Sequence, residues 1–280
     1  MRANKSLMLV LKTPGEGHLP ILRTLRLALI ALVCAFLVAG CKTPEKTGST
    51  AVDVTAPPKQ FVSPKTGKTF TYVLVPDTDE EHEKFEIPRI VFGAPSKDNF
   101  LGTDRGAAKT SISSGPQVTR TDVADLLAHL PDTDENMMSH NPPISKSATS
   151  GRVSEEEQNV VVEAGFIYAV AKEADNDYHI ILGTAPGAAA QFINVEVSGL
   201  PKSGASRVPL KQVRDKFQNH FGAAITGSGY HKWVGDPVPV RVTGSLFYDI
   251  DHPPGAVGPT GLKPTTAWEI HPVTDIEFEP

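Results

Sequence analysis

"VVVEAGFIYAVAKEADNDYHIILGTA", Val160 to Ala185, decides how the chain is read. The first run, Val160 to Ala174, is rich in β-branched and aromatic residues and reads as a strand. Its internal Gly165 marks a bulge or sharp bend. A turn at Ala174 to Asn176 sends the chain back through a second strand, "NDYHIILGTA". In a strand, residues i and i+2 share a face. Asp177 and His179 therefore point together, and Tyr178 and Ile180 point to the opposite, core-forming side.

Downstream the texture continues. "QFINVEVSGL" (Gln191 to Leu200) is a third strand, closed by Gly199-Leu200-Pro201. "PLKQVRDKFQNHFG" (Pro209 to Gly222) is a helix, with Leu210, Val213, Phe217 and Phe221 at helical spacing and Gly222 suited to its end. "PVPVRVTGSLFYDI" (Pro237 to Ile250) and "AWEIHPVTDIEFEP" (Ala267 to Pro280) are the fourth and fifth strands. Three strands, a helix and two strands give a mainly β protein with the order of the OB-fold, a five-stranded barrel whose helix lies between strands three and four. Residues 153–280 suffice for one such core. The alternative is a small open β-sandwich. In the barrel, strand one is expected beside strands two, four and five.

Two further rows repeat the polar pattern. Glu269 and His271 share a face, opposite Trp268 and Ile270. Asp249 and Asp251, with His252 just beyond, lie opposite Leu246, Tyr248 and Ile250. Three readings fit these rows. Structurally, a His beside a carboxylate satisfies a half-buried edge. As a divalent-metal site, two imidazoles and two or more carboxylates (His179, His271, Asp177, Glu269) suit zinc or a similar cation, and an incomplete shell leaves room for a water nucleophile. That is a metal-dependent hydrolase, phosphodiesterase- or nuclease-like, although the spacing matches no metal motif such as HExxH. As a binding face, Tyr178, Phe192, Tyr230, Trp233 and Phe247 are candidate stacking platforms. The Gly-flanked "GSGYHKWVGDP" (Gly227 to Pro237) is a candidate recognition loop carrying Tyr230, His231 and Trp233. No P-loop, GxSxG, GxGxxG or kinase signature is present, so nucleotide hydrolysis and lipase-type chemistry have no support.

Upstream, residues 61–152 read as an extended, partly disordered arm. "TFTYVLVP" (Thr69 to Pro76) and "IPRIVFGAP" (Ile87 to Pro95) alternate like strands. Thr121 is the expected N-cap of a short helix near 122–130, stopped by Pro131. From Lys97 to Gly115 almost nothing asks to be buried. Residues 41–60 are a Pro- and Thr-rich tether with a reach of roughly 25 Å.

The N-terminus carries Lys5, Lys12, Arg23 and Arg26 ahead of an uncharged apolar run, Leu27 to Val38, that is short for a membrane span. It ends in Val38-Ala39-Gly40-Cys41, which resembles the lipobox of bacterial lipoproteins. The resemblance implies a signal peptide over residues 1–40, cleavage before Cys41, and acylation of Cys41, a stable anchor when two or three chains are attached. It places the protein in the bacterial cell envelope. Lys42 favours the outer membrane in a Gram-negative cell by the enteric sorting rule. The first 40 residues hold five of the 27 Lys and Arg and one of the 32 Asp and Glu, which leaves a net charge of −9. That balance makes nucleic acid an unlikely partner and leaves a protein, peptide or glycan. The two cysteines, Cys34 and Cys41, leave no thiol pair for a disulfide or a Cys-based metal site after cleavage. "DNDYHIILG", "VTGSLFYDIDH", "AWEIHPV" and "MMSHNPPISKSA" (Met137 to Ala148) together resemble a group of uncharacterised secreted bacterial proteins with an OB-like C-terminal module. The likeness, from about Leu130 onward, implies the fold, the export and the module boundary, and no catalytic residue or cofactor.

Overall fold

The computed structural model describes residues 57–77, 97–227 and 229–280. Cys41 and its lipobox, the Ile87 to Pro95 run and most of the tether lie outside these residues. Nine strands are described: β1 (Lys59–Val62), β2 (Thr69–Val75), β3 (Gln117–Asp122), β4 (Asn159–Lys172), β5 (Tyr178–Gly183), β6 (Phe192–Val197), β7 (Tyr230–Val234), β8 (Val238–Tyr248) and β9 (Trp268–Phe278). The helices are α1 (Gly106–Lys109), α2 (Val123–Ala128), α3 (Asp134–Met138) and α4 (Arg207–Phe221). None is long and apolar enough to cross a membrane.

Strands β4, β5, β6, β9 and β8 close on themselves. With α4 between the third and fourth barrel strands, this is the OB order. One expected adjacency is corrected. The fifth strand, β9, does not lie beside the first. It runs antiparallel to β8 and parallel to β6, pairing Asn194 with Glu269 and Val195 with Ile270. The reason is that β8 already occupies the free side of β4 (Val160 opposite Gly244, Val162 opposite Val242), so β9 fills the gap left between β8 and β6.

The β4–β8 register shifts between Val162 and Gly165, as the internal glycine implies. A Cβ at Gly165 would stand 2.8 Å from a Leu182 methyl, so the bend depends on its absence. Asn176 takes a left-handed conformation (φ 77°) at the β4–β5 turn. Alternate residues on these strands, among them Val160, Ile180, Leu182, Val195, Val242, Leu246, Trp268 and Ile270, share one core with Val213, Phe217 and Phe221 of α4.

The arm is where structure and sequence part. Its described segments pack on the barrel rather than standing away from it. β1 and β2 form a hairpin, β2 pairs with β7, and β7 pairs with the end of β4, so the barrel sheet carries a three-stranded extension. Phe61, Phe70 and Tyr72 bury against Phe221 and Trp233. β3 adds in parallel to β4. The short helix is present as α2, but its cap is Asp122, whose carboxylate accepts the Asp125 N–H at 2.9 Å, while Thr121 N–H donates back to Asp125 at 2.8 Å.

The Lys97 to Gly115 segment, polar in sequence, buries Arg105 and Lys109. Both Arg105 end nitrogens donate to Glu156 at 2.7 Å, and they also reach the carbonyls of Tyr248 and Gly151. Glu156 in turn accepts the N–H groups of Tyr248 and Val153. Breaking a buried pair by removing one partner strands the other charge. Arg105→Ala is expected to cost about 3–5 kcal/mol, read as a shift of the urea midpoint by tryptophan fluorescence; a loss under about 1 kcal/mol would show the pair is not closed to water.

His220 stacks on Phe278 at 3.8 Å and contacts Phe61 and Phe221. Burial pushes its imidazole down to about 4, with Glu279 opposing and Lys65 reinforcing. A base depressed in the folded state contributes stability that is complete above its unfolded value of about 6.5 and is lost as pH falls toward 4. His220→Phe is expected to flatten that loss by on the order of 1–2 kcal/mol in denaturation series at pH 7 and pH 4.5. Equal slopes in both proteins would show that the ring is hydrated.

Candidate functional site

The three polar rows meet on one outer face of the barrel, over β5, β6 and β9. His179 lies opposite Glu196 across β5–β6, and the parallel β6–β9 pairing brings Glu269 beside Asn194. His271 is the hub. Its Nδ1 lies 2.9 Å from Glu196 Oε2 and 3.1 Å from Glu269 Oε1. Its Nε2 lies 3.3 Å from Asp177 Oδ2 and 3.3 Å from Ser198 Oγ. His179 extends the network, with Nε2 3.0 Å from Glu196 Oε1 and Nδ1 3.6 Å from Glu173. The Asn194 amide donates to Glu196 at 2.8 Å and Glu269 at 2.9 Å.

The Asp249 row forms the other end. His252 Nδ1 contacts Asp249 at 2.9 Å, Lys109 Nζ stands 3.5 Å from the same carboxylate, and the His252 and His179 rings meet edge to face at 6.2 Å. Asp251 does not join. The strand ends at Tyr248, and Asp251 turns outward to pair with Lys146.

The face is covered. Phe100 and Leu101 hydrogen-bond to the backbone of Leu200 and Asp175, and Ser198 Oγ donates to the Lys109 carbonyl. The β8–β9 connection, residues 249–267, lays Val257 and Leu262 over Ile181. Asp177, Glu196 and His271 are each 0% exposed. A small pocket lined by Asn194, Asp249, His252, Ala267, Trp268 and Glu269 lies at the edge of the cluster.

Charge here is set by opposition between burial and neighbours. Burial alone would raise Glu196, yet the two imidazoles outweigh it and hold its carboxyl well below the usual range. His271 is held well above the ordinary histidine value, burial being outweighed by Glu196, Asp177 and Glu269. Burial, joined by the Glu196 charge, pushes Glu269 up to about 7, and burial raises Asp177. Asp249 lifts His252 to about 9 against the burial that lowers it, and Lys109 and His252 depress Asp249 in return.

The candidate recognition residues lie elsewhere. Tyr230, His231 and Trp233 belong to strand β7, not to a loop, and all three are buried. Tyr178 packs on Phe217 at 4.7 Å, and Phe247 lies under the Arg105 guanidinium at 4.6 Å. Of the five aromatics considered as stacking platforms, only Phe192 is part-exposed. Asn194, Glu196 and Ser198 were missed by the sequence reading, although "NVEVS" carries the same i, i+2 alternation as the rows that were found. Lys109 gave no local signal. Comparison with family models, with curated proteins and with solved structures returns no match.

The two acids at opposite charge extremes predict different mutational costs. In chelator-treated buffer at pH 6, below the value of about 7 to which Glu269 is pushed, Glu196→Gln, which removes the anion between two imidazoles, is expected to cost about 2–4 kcal/mol. Glu269→Gln, a neutral mimic of a group already pushed toward neutrality, is expected to change stability by about 1 kcal/mol or less. Urea titrations of both variants check the order; equal costs would contradict this charge assignment.

Proposed function

We propose that the protein is a membrane-anchored lipoprotein of the bacterial cell envelope whose OB barrel is a non-catalytic binding or structural module. Burial of the cluster is the observation that carries the non-catalytic reading: the groups able to do chemistry lie beneath residues 98–111 and 249–267. A hydrolase built on His179, His271, Asp177 and Glu269 needs an open ligand position and a path for substrate, and the described covering segments favour neither. Anchoring is supported by Val38 to Cys41 in the sequence. The mature charge of −9 favours a protein, peptide or glycan partner over nucleic acid.

In a bacterial host fed labelled palmitate, the wild-type chain is expected to take up label and sediment with membranes, and Cys41→Ser to do neither. A Cys41→Ser protein still held by membranes would remove the lipid anchor. The module reading is tested separately with an activated phosphodiester in the presence of zinc. Turnover that vanishes in His271→Gln would overturn it, whereas no turnover above buffer, or equal turnover in both proteins, supports it.

A further inference from the structure

His271 is ringed by three carboxylates, Asp177, Glu196 and Glu269, in a dry interior. One imidazole offers two nitrogens. Two further cationic groups border the ring: Lys109 stands on Asp249 and its charge also acts on Asp177, and His179 lies between Glu196 and Glu173. Carboxylate oxygens from Asp177 and Glu196 and a ring nitrogen of His271 lie within 4.8 Å of one another. Ligand atoms on one tetrahedral ion at about 2.1 Å stand roughly 3–4 Å apart, so a small closure of these three side chains supplies three of its four ligand positions.

The outer atoms of the same residues are already held. Glu196 Oε1 is fixed by His179 and Asn194, and Asp177 Oδ1 accepts the Gly199 N–H. The inner oxygens, Glu196 Oε2 and Asp177 Oδ2, are fully buried and face the His271 ring, at 2.9 Å from Nδ1 and 3.3 Å from Nε2. Fixing the far atom of each ligand, so that the near atom turns to the metal, is how protein metal sites are supported.

We propose that Asp177, Glu196 and His271 form a divalent-cation site, with zinc its foremost occupant, that ties β5, β6 and β9 together beneath the covering segments. His271 binds through Nε2, on the Asp177 side, and Nδ1 donates its N–H to Glu269 Oε1, so Glu196 Oε2 turns from Nδ1 to the ion. Nitrogen and oxygen donors without sulfur suit zinc, and manganese or cobalt next. Asn194 and His179 act as positioning residues, and the closed surroundings make the site structural.

The test uses the untagged full chain in detergent. Elemental mass spectrometry is expected to find about one zinc or related divalent ion per chain. After chelation, added Zn²⁺ or Co²⁺ is expected to raise the melting temperature and bind at a single site in calorimetry. Asn194→Ala is expected to weaken binding about 10–100-fold, and Asp177→Asn at least as much, with the native circular dichroism retained. If Asp177→Asn does not fold, X-ray absorption of the zinc-loaded wild-type protein decides: one imidazole with oxygen ligands supports the assignment, and sulfur or more than one imidazole overturns it. No metal as purified and no response to Zn²⁺, Co²⁺ or Mn²⁺ overturns it as well, as does unchanged affinity in a folded Asp177→Asn protein.

Discussion

Glu196 sits in a place where a carboxylate should not survive as an anion. Taking such a group out of water costs several kcal/mol unless charge and hydrogen bonds replace the solvent. Here the replacement is His179 on one oxygen, His271 on the other, and Asn194 bridging from the same strand. These partners come from β5, β9 and β6, and they reach Glu196 only if the barrel closes in OB order with β9 parallel to β6. A one-residue slip of β9 would turn Glu269 and His271 into the apolar core and bring Ile270 out among the charges. The polar layer thus specifies the register that the apolar core alone would enforce less sharply.

The same constraint explains the covering segments. A polar face left half-wet would let its side chains exchange partners with water. Lys109 enters from the arm to stand on Asp249, and the backbone of residues 100–101 pairs with Leu200 and Asp175. Arg105 repeats the logic beside it, giving Glu156 a bidentate partner under the end of β8. Segments that look polar and structureless in isolation are therefore recruited by charge, and then fixed by backbone hydrogen bonds.

That is why the fold was legible where it was local and illegible where it was not. The five barrel strands and α4 each carry their own period, so their order could be read directly. β7 hides in "YHKWV", five residues between glycines, and becomes a strand only because β2 and β4 offer it edges. β3 carries "QVTRTD", polar enough to pass as loop, and is made by parallel pairing to β4. For the site, alternation placed Asp177, His179, Glu269 and His271 on strand faces, yet it could not show that the faces coincide. The expected adjacency of the first and fifth strands would have put Glu269 beside β4. Glu196 and Asn194, the residues that join the rows, were overlooked because their strand looked like ordinary core.

In an OB barrel the face of the second and third strands, with the loop joining the fourth and fifth, is the usual seat of a ligand. Here that loop, residues 249–267, lies over Ile181, and the arm reaches the edges of the same strands. The protein's own chain occupies the place where an oligomer of sugar or nucleotide would lie. Binding of the kind proposed would then use a different surface, or follow displacement of this cover. Displacement carries a definite cost, because it exposes Lys109, Asp249 and the imidazole–carboxylate layer together. A ligand able to open this face must replace those interactions, which calls for charge as well as shape. A neutral glycan lacks that charge, whereas a peptide or protein segment carrying both signs can supply it.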